Sequence, residues 1–182
     1  MNNTGTMCSQ QQQRCLKLWL SALICCVLVA FDQLVKWHIR SSFAVGEVQP
    51  GIAGVFEFCY VQNRGAAFGA GQGAQVLFSI FAVVIVGFCI RVLVRVSRLA
   101  LLEHACVLAI CAGALGNAID RVALGYVVDF INLKFMTFPV FNLADIYITC
   151  AAIAVMVMLL VCPSRVYALI SCGSYTSTNS EE

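Results

Sequence analysis

Charge is scarce in this 182-residue chain. Only 11% of the residues are Asp, Glu, Lys or Arg, against roughly a quarter in an average soluble domain. That excludes a disordered polyelectrolyte, which needs high charge and low hydropathy. The 11 basic and 9 acidic residues leave a net charge of +2, so there is no basic stripe of the kind that grips nucleic acid. Histidine occurs twice, as His38 and His104, and no CxxC pair accompanies it at zinc spacing. No structural metal site is expected from such a set. Neither HExxH nor GxSxG is present, which removes the usual signatures of a zinc protease and a serine hydrolase.

What remains is apolar. Hydrophobic residues make up 61% of the chain. A chain this short has too much surface for its volume to hide that fraction from water. Lipid is therefore expected to solvate much of the surface, and the chain reads as an integral membrane protein. The 11 cysteines look like a disulfide framework until they are placed. Cys25, Cys26, Cys89, Cys106, Cys111 and Cys150 lie inside apolar runs, and Cys162 ends one. In that setting cysteine acts as a small hydrophobe.

Four apolar stretches, at about 16–35, 74–94, 99–119 and 146–162, approach the ~20 residues that span a bilayer. Backbone groups in lipid must be satisfied within the segment, so each reads as a helix. The first stretch, preceded by Arg14 and Lys17, also has the outline of a signal peptide. Leu28-Val29-Ala30 puts a bulky residue where cleavage needs a small one, so an uncleaved helix is the reading. One membrane domain is expected over 16–165, with a disordered tail at 1–15 and another at 166–182. Four crossings put both termini on one side. Arg91, Arg95 and Arg98 crowd a very short turn on that side, which marks it as cytoplasmic.

The acids are unevenly distributed. Glu103, Glu181 and Glu182 fall on the cytoplasmic side, whereas Asp32, Glu47, Glu57, Asp120, Asp129 and Asp145 fall outside or at the outer boundary. Acids near hydrocarbon are costly and are candidates for function; solvation or helix capping is the plainer alternative. Asn117 and Asp120, three apart, share a helix face. Asp120 has Arg121 or Lys36 as possible partners, and a structural clamp is its better reading. Val127-Val128-Asp129-Phe130-Ile131 is a β-prone run with an acid at its centre, where desolvation would raise a carboxyl pKa. Asn142 and Asp145 have the spacing of a capping box before the last helix, and a helix start favours negative charge. Gln62-Asn63-Arg64-Gly65 opens a glycine-rich stretch suited either to close approach by a substrate strand or to a plain loop. Two aspartates in different surroundings at one boundary suggest a pair sharing a proton, an arrangement that activates water.

These blocks together resemble lipoprotein signal peptidase (signal peptidase II), a bacterial membrane aspartyl peptidase family. The resemblance rests on Asp32-Gln33 with Lys36, Asn63-Arg64-Gly65-Ala66-Ala67-Phe68-Gly69, Gly116-Asn117-Ala118-Ile119-Asp120-Arg121 with Val127-Val128-Asp129-Phe130, and Phe141-Asn142-Leu143-Ala144-Asp145. It implies an all-α membrane fold of four transmembrane helices with a small extracytoplasmic β-sheet and a short interfacial helix. It implies an endopeptidase that cuts prolipoproteins before a diacylglyceryl-modified cysteine, with no metal or organic cofactor. Asp129 and Asp145 would be the catalytic dyad. Asp32, Lys36, Asn63, Arg64, Gly65, Asn117, Asp120, Arg121 and Asn142 would bind substrate or support the acids. The expected setting is the bacterial inner membrane, as a monomer among lipid, with the active site near the outer leaflet. A transporter fits less well, because the aspartates gather at one boundary and no repeat relates the two halves.

Overall fold

The computed structural model describes residues 3–65, 73–95 and 99–161. In chain order the elements are α1 (Asn3–Ser42), β1 (Val48–Ile52), β2 (Phe56–Asn63), α2 (Gly73–Arg95), α3 (Leu101–Leu124), β3 (Val127–Leu133) and α4 (Leu143–Val161). Each helix contains a span long and apolar enough to cross a membrane: Gln11–Ser42, Val76–Arg95, Leu101–Leu124 and Leu143–Val161. Large apolar side chains point outward along three of them, with Trp19 and Leu160 each 76% exposed and Val83 71% exposed. Such a surface is stable only against lipid. The chain is a multi-pass membrane protein by this measure.

Helix boundaries differ from the apolar windows in an informative way. α1 runs on past residue 35 to Ser42 because Lys36 and Ile39 are buried on its inner face. It also begins at Asn3, so residues 3–15, expected as a disordered tail, are helical. Extending an existing helix needs no new nucleus, and glutamine is a fair helix former. α3 continues to Leu124, which places Asp120 and Arg121, like Asn117, within the helix rather than after it. Gly125 ends α3 in the left-handed conformation, φ 77°, its N–H returning to the Arg121 carbonyl at 3.1 Å. The expected tail at 166–182 lies outside the described residues, as does 66–72 within the glycine-rich stretch. The short interfacial helix is not among the described elements.

The three strands form one antiparallel sheet in the order β1-β2-β3. In its register Val61 lies opposite Asp129 and Asn63 opposite Val127. The chain then folds back on β3: Phe141 N–H donates to the Ile131 carbonyl at 3.1 Å, and the Phe141 carbonyl accepts from Phe130 and Ile131. This return delivers Asn142 beside the strand just before α4 starts. Ile39, Tyr60, Val128 and Phe130 form a buried cluster that ties the end of α1 to the sheet.

α3 is the central helix. It packs on α1, α2 and α4, and small residues let the backbones approach, as is usual between membrane helices. A methyl on Gly113 would stand 2.5 Å from the Ala144 carbonyl oxygen, and one on Gly116 2.5 Å from Asp32 Oδ2. α3 thus sets how deeply both α1 and the start of α4 sit. The cysteines that line these contacts, Cys89, Cys106 and Cys111, are buried free thiols.

Candidate active site

The site lies where α1 and α3 end and α4 begins, against β3. Its base is an ion cluster. Asp32 and Lys36 are one turn apart on α1, so their side chains meet; Lys36 Nζ lies 2.9 Å from Asp32 Oδ2 and 3.2 Å from Asp120 Oδ2 on α3. All three are essentially removed from solvent, at 0%, 1% and 2% exposure for Asp32, Lys36 and Asp120. A buried carboxylate persists only when its lone pairs are met. Asp32 Oδ1 accepts the Ala144 N–H at 3.1 Å, and Asp120 Oδ2 accepts the Val128 N–H at 3.0 Å. The cluster therefore fastens α1 to the start of α4 and the end of α3 to the start of β3. Of the two partners open to Asp120, Lys36 is the one it takes.

Two asparagines carry the arrangement upward. Lys36 donates its third N–H to Asn117 Oδ1 at 2.9 Å. Asn117 Nδ2 donates to Asp145 Oδ1 at 2.8 Å. Asn142 Nδ2 donates to Asn117 Oδ1 at 3.1 Å and to Asp129 Oδ1 at 2.6 Å. Asn63 Nδ2, from the end of β2, donates to Asp129 Oδ2 at 2.8 Å. The capping box is present as its spacing predicts: Asp145 N–H donates to Asn142 Oδ1, and Asn142 N–H to Asp145 Oδ2, both at 3.1 Å. Each of the two aspartates thus accepts one N–H on each oxygen. The same asparagine, Asn142, bonds both.

The remaining residues named from sequence take different places. Gly65 adopts φ 81° and its N–H donates to Asn63 Oδ1 at 2.9 Å, orienting that amide. Arg121 donates to the Asn117 carbonyl at 3.3 Å and lies 5.5 Å from the Phe78 ring centroid on α2. Arg64 is exposed and sits over the Tyr126 ring at 6.0 Å, away from the acids' own bonds. Gln33, quoted in a motif but given no role, proves to be part of the cluster. Its Nε2 reaches Asp32 Oδ2 at 3.3 Å, and both the Gly116 carbonyl and Asp120 Oδ1 at 3.1 Å. Its place directly beside Asp32 was the only signal in the sequence. Among the described residues, no group of three His, Cys, Asp or Glu side chains is placed to hold a metal.

The electrostatics distinguish Asp129. Burial, reinforced by the nearby negative charge of Asp145, pushes its carboxyl up to about 6. The N–H bonds from Asn63 and Asn142, and the charge of Lys36, pull the other way and are outweighed. Asp129 therefore holds its proton well above the usual carboxylate range and releases it as pH rises through about 6. An infrared carboxyl band should vanish in that interval, be absent from Asp129→Asn, and vanish at lower pH in Asp145→Asn, where the repelling charge is gone. A wild-type protein with every carboxyl titrating near 4 would contradict this.

The chain is similar to known proteins over most of its length. A family model described as signal peptidase (SPase) II matches residues 24–161. Lipoprotein signal peptidases of Streptococcus pyogenes serotypes M2 and M1 are each 41% identical over 143 residues, covering 79% of this chain and 93% of theirs. Two solved bacterial membrane enzymes share the fold. One has a TM-score of 0.73 at 32% identity over 79% of this chain and 94% of its own. The other has 0.69 at 29% identity, over 90% and 94%. The matched segment runs from within α1 to the end of α4 and so contains every residue of the ion cluster and of the two asparagine links: the chain belongs to the signal peptidase II family.

Proposed function

We propose that this membrane peptidase removes signal peptides from bacterial prolipoproteins, cutting before the diacylglyceryl-modified cysteine, with Asp129 and Asp145 as the catalytic pair. Membership of the family carries the activity. The observation that supports the pair is the symmetric set of N–H donors on their oxygens. Each of the four oxygens accepts one N–H and keeps a further lone pair, which is open to a proton or a water. Asp129, whose carboxyl burial pushes up to about 6, acts as the acid through its protonated fraction, and Asp145 acts as the base. Asp145 takes a proton from the water, whose oxygen adds to the scissile carbonyl carbon. Asp129 gives its proton to the carbonyl oxygen, and a gem-diol forms. Collapse breaks the C–N bond: Asp145 passes its proton to the leaving amine, a gem-diol hydroxyl returns one to Asp129, and the carboxyl product and the one-proton pair result. No metal takes part in these steps.

The site elements stand at the opposite helix ends from the two termini. With Arg91, Arg95 and Arg98 marking the cytoplasmic side, both termini are cytoplasmic and the pair sits near the outer leaflet. The apolar helix surfaces face lipid, and the chain acts as a monomer. The test is direct. Purified protein in detergent is given a diacylglyceryl-modified prolipoprotein, and the products are weighed by mass spectrometry. One cut, immediately before the lipidated cysteine, is expected; no cleavage, or cleavage elsewhere, overturns the reading.

A further inference from the structure

We infer that Lys36 is a positioning residue that acts on the aspartate pair through Asn117, fixing and polarising the amide that faces Asp145 so that the pair holds one proton and not two. This rests on the reading of Asp129 and Asp145 as the reacting pair.

The argument begins with what an ammonium can do. Lys36 Nζ has three N–H donors and no acceptor. Two of them meet Asp32 and Asp120, and the third meets Asn117 Oδ1 at 2.9 Å. A donor-only group at that distance admits only the amide's oxygen. Asn117 is thereby turned with Nδ2 toward Asp145 Oδ1, 2.8 Å away. Asn142 Nδ2 also donates to Asn117 Oδ1, at 3.1 Å, but this is a neutral bond. A charge-assisted bond is roughly twice as strong, and it draws electron density toward the amide oxygen, which strengthens the N–H on the other end. The ion cluster thus reaches Asp145 through one buried side chain. Without Lys36 only the neutral Asn142 bond holds the amide, and when Asn117 turns against it, its oxygen faces Asp145 Oδ1. Two acceptors would then meet, and a proton would be drawn onto the outer face of Asp145, where it cannot serve the water.

The charged groups around the pair are few. Among the described residues, α1 contributes Asp32 and Lys36, and α3 contributes Asp120 and Arg121; Arg121 is close enough to feel Asp145, Asp129 and Asp120. From β2 only the neutral Asn63 bonds the pair, and Arg64 lies over Tyr126. On α4, Tyr147 lies near Asp32. Lys36 is the one cation among these that bonds an amide donating to the pair.

The experiment is the pH profile of cleavage. Lys36→Met removes all three donors at similar length. It is expected to lower kcat by up to about tenfold on the acidic side of the profile with KM within about twofold. The acidic limb should move upward by about one unit, a tenfold gain in proton affinity. Because Lys36→Met also strips two buried carboxylates of their partner, Asn117→Leu is the second variant. It keeps both ion pairs, cuts the relay, and should move the acidic limb the same way; the double variant should move it no further. A folded Asn117→Leu protein with an unmoved profile overturns the inference, as does a Lys36→Met protein that loses only folded yield. Neither result touches the catalytic pair itself, which falls only if Asp129→Asn or Asp145→Asn still turns over.

Discussion

Asp129→Asn is expected to fold, insert and lose roughly 10⁴-fold in turnover, the upper range for a positioned acid or base. The side chain keeps its size, and Val128 and Phe130, on the other face of β3, keep their cluster with Ile39 and Tyr60. What changes is chemical. Both Asp129 oxygens now accept N–H bonds, from Asn63 at 2.8 Å and Asn142 at 2.6 Å. An asparagine presents one oxygen and one NH2, so one of those donors meets another donor. That mismatch costs about 1–3 kcal/mol, which β3 withstands through its pairing with β2 and its return contact with Phe141. The amide has no acidic proton to give to the scissile carbonyl. Turnover of a diacylglyceryl prolipoprotein, normalised to folded protein by circular dichroism, is the readout.

Asp32→Ala is expected to cost about 3 kcal/mol or more of stability, because it breaks a buried ion pair by removing one partner. Three bonds end on this carboxylate. Lys36 donates to it at 2.9 Å, Gln33 at 3.3 Å, and the Ala144 N–H at 3.1 Å. The last matters structurally, since it holds the first turn of α4 against α1. Gly116 lies against the same carboxylate and has no side chain to fill the gap an alanine would leave. Asp32→Asn keeps an oxygen toward Ala144 and leaves Lys36 paired with Asp120, but turns its NH2 toward the Lys36 ammonium, so its loss should fall between that of Asp32→Ala and none. Thermal unfolding in detergent separates the two. Equal midpoints for Asp32→Ala and wild type would contradict the account.

Several parts of this arrangement were legible in the residues themselves. Asp32 and Lys36 are four apart on a helix, and that spacing alone brings them together. Asn142 and Asp145 read as a capping box and form one. The apolar setting of Asp129 announced its raised proton affinity. The extent of the helices was less legible, for a physical reason. The first and third apolar windows end just before Lys36 and Asp120, but Lys36, Asp120 and Asn117 satisfy one another inside the bundle and let α1 and α3 continue. The contact of Asn142 with Asp129 and Asn117 was hidden because it depends on Phe141 returning to β3, a pairing that no local pattern encodes. Gln33 was invisible for a similar reason: its partners Gly116 and Asp120 lie on another helix, and a glutamine beside an aspartate has no meaning until that helix is in place. Arg64 was grouped with the acids by the motif it sits in, whereas its guanidinium stacks on Tyr126.

The central claim is that Asp129 and Asp145 act as one unit on one water. Two residues that work as a unit show strongly non-additive losses. The most direct measurement is therefore the cleavage rate of a diacylglyceryl-modified prolipoprotein by Asp129→Asn, Asp145→Asn and the double variant, each at matched folded concentration. Each single variant should fall by roughly 10⁴-fold, and the double variant should fall no further. Losses that add, or a single variant that retains turnover within about tenfold of wild type, would contradict it.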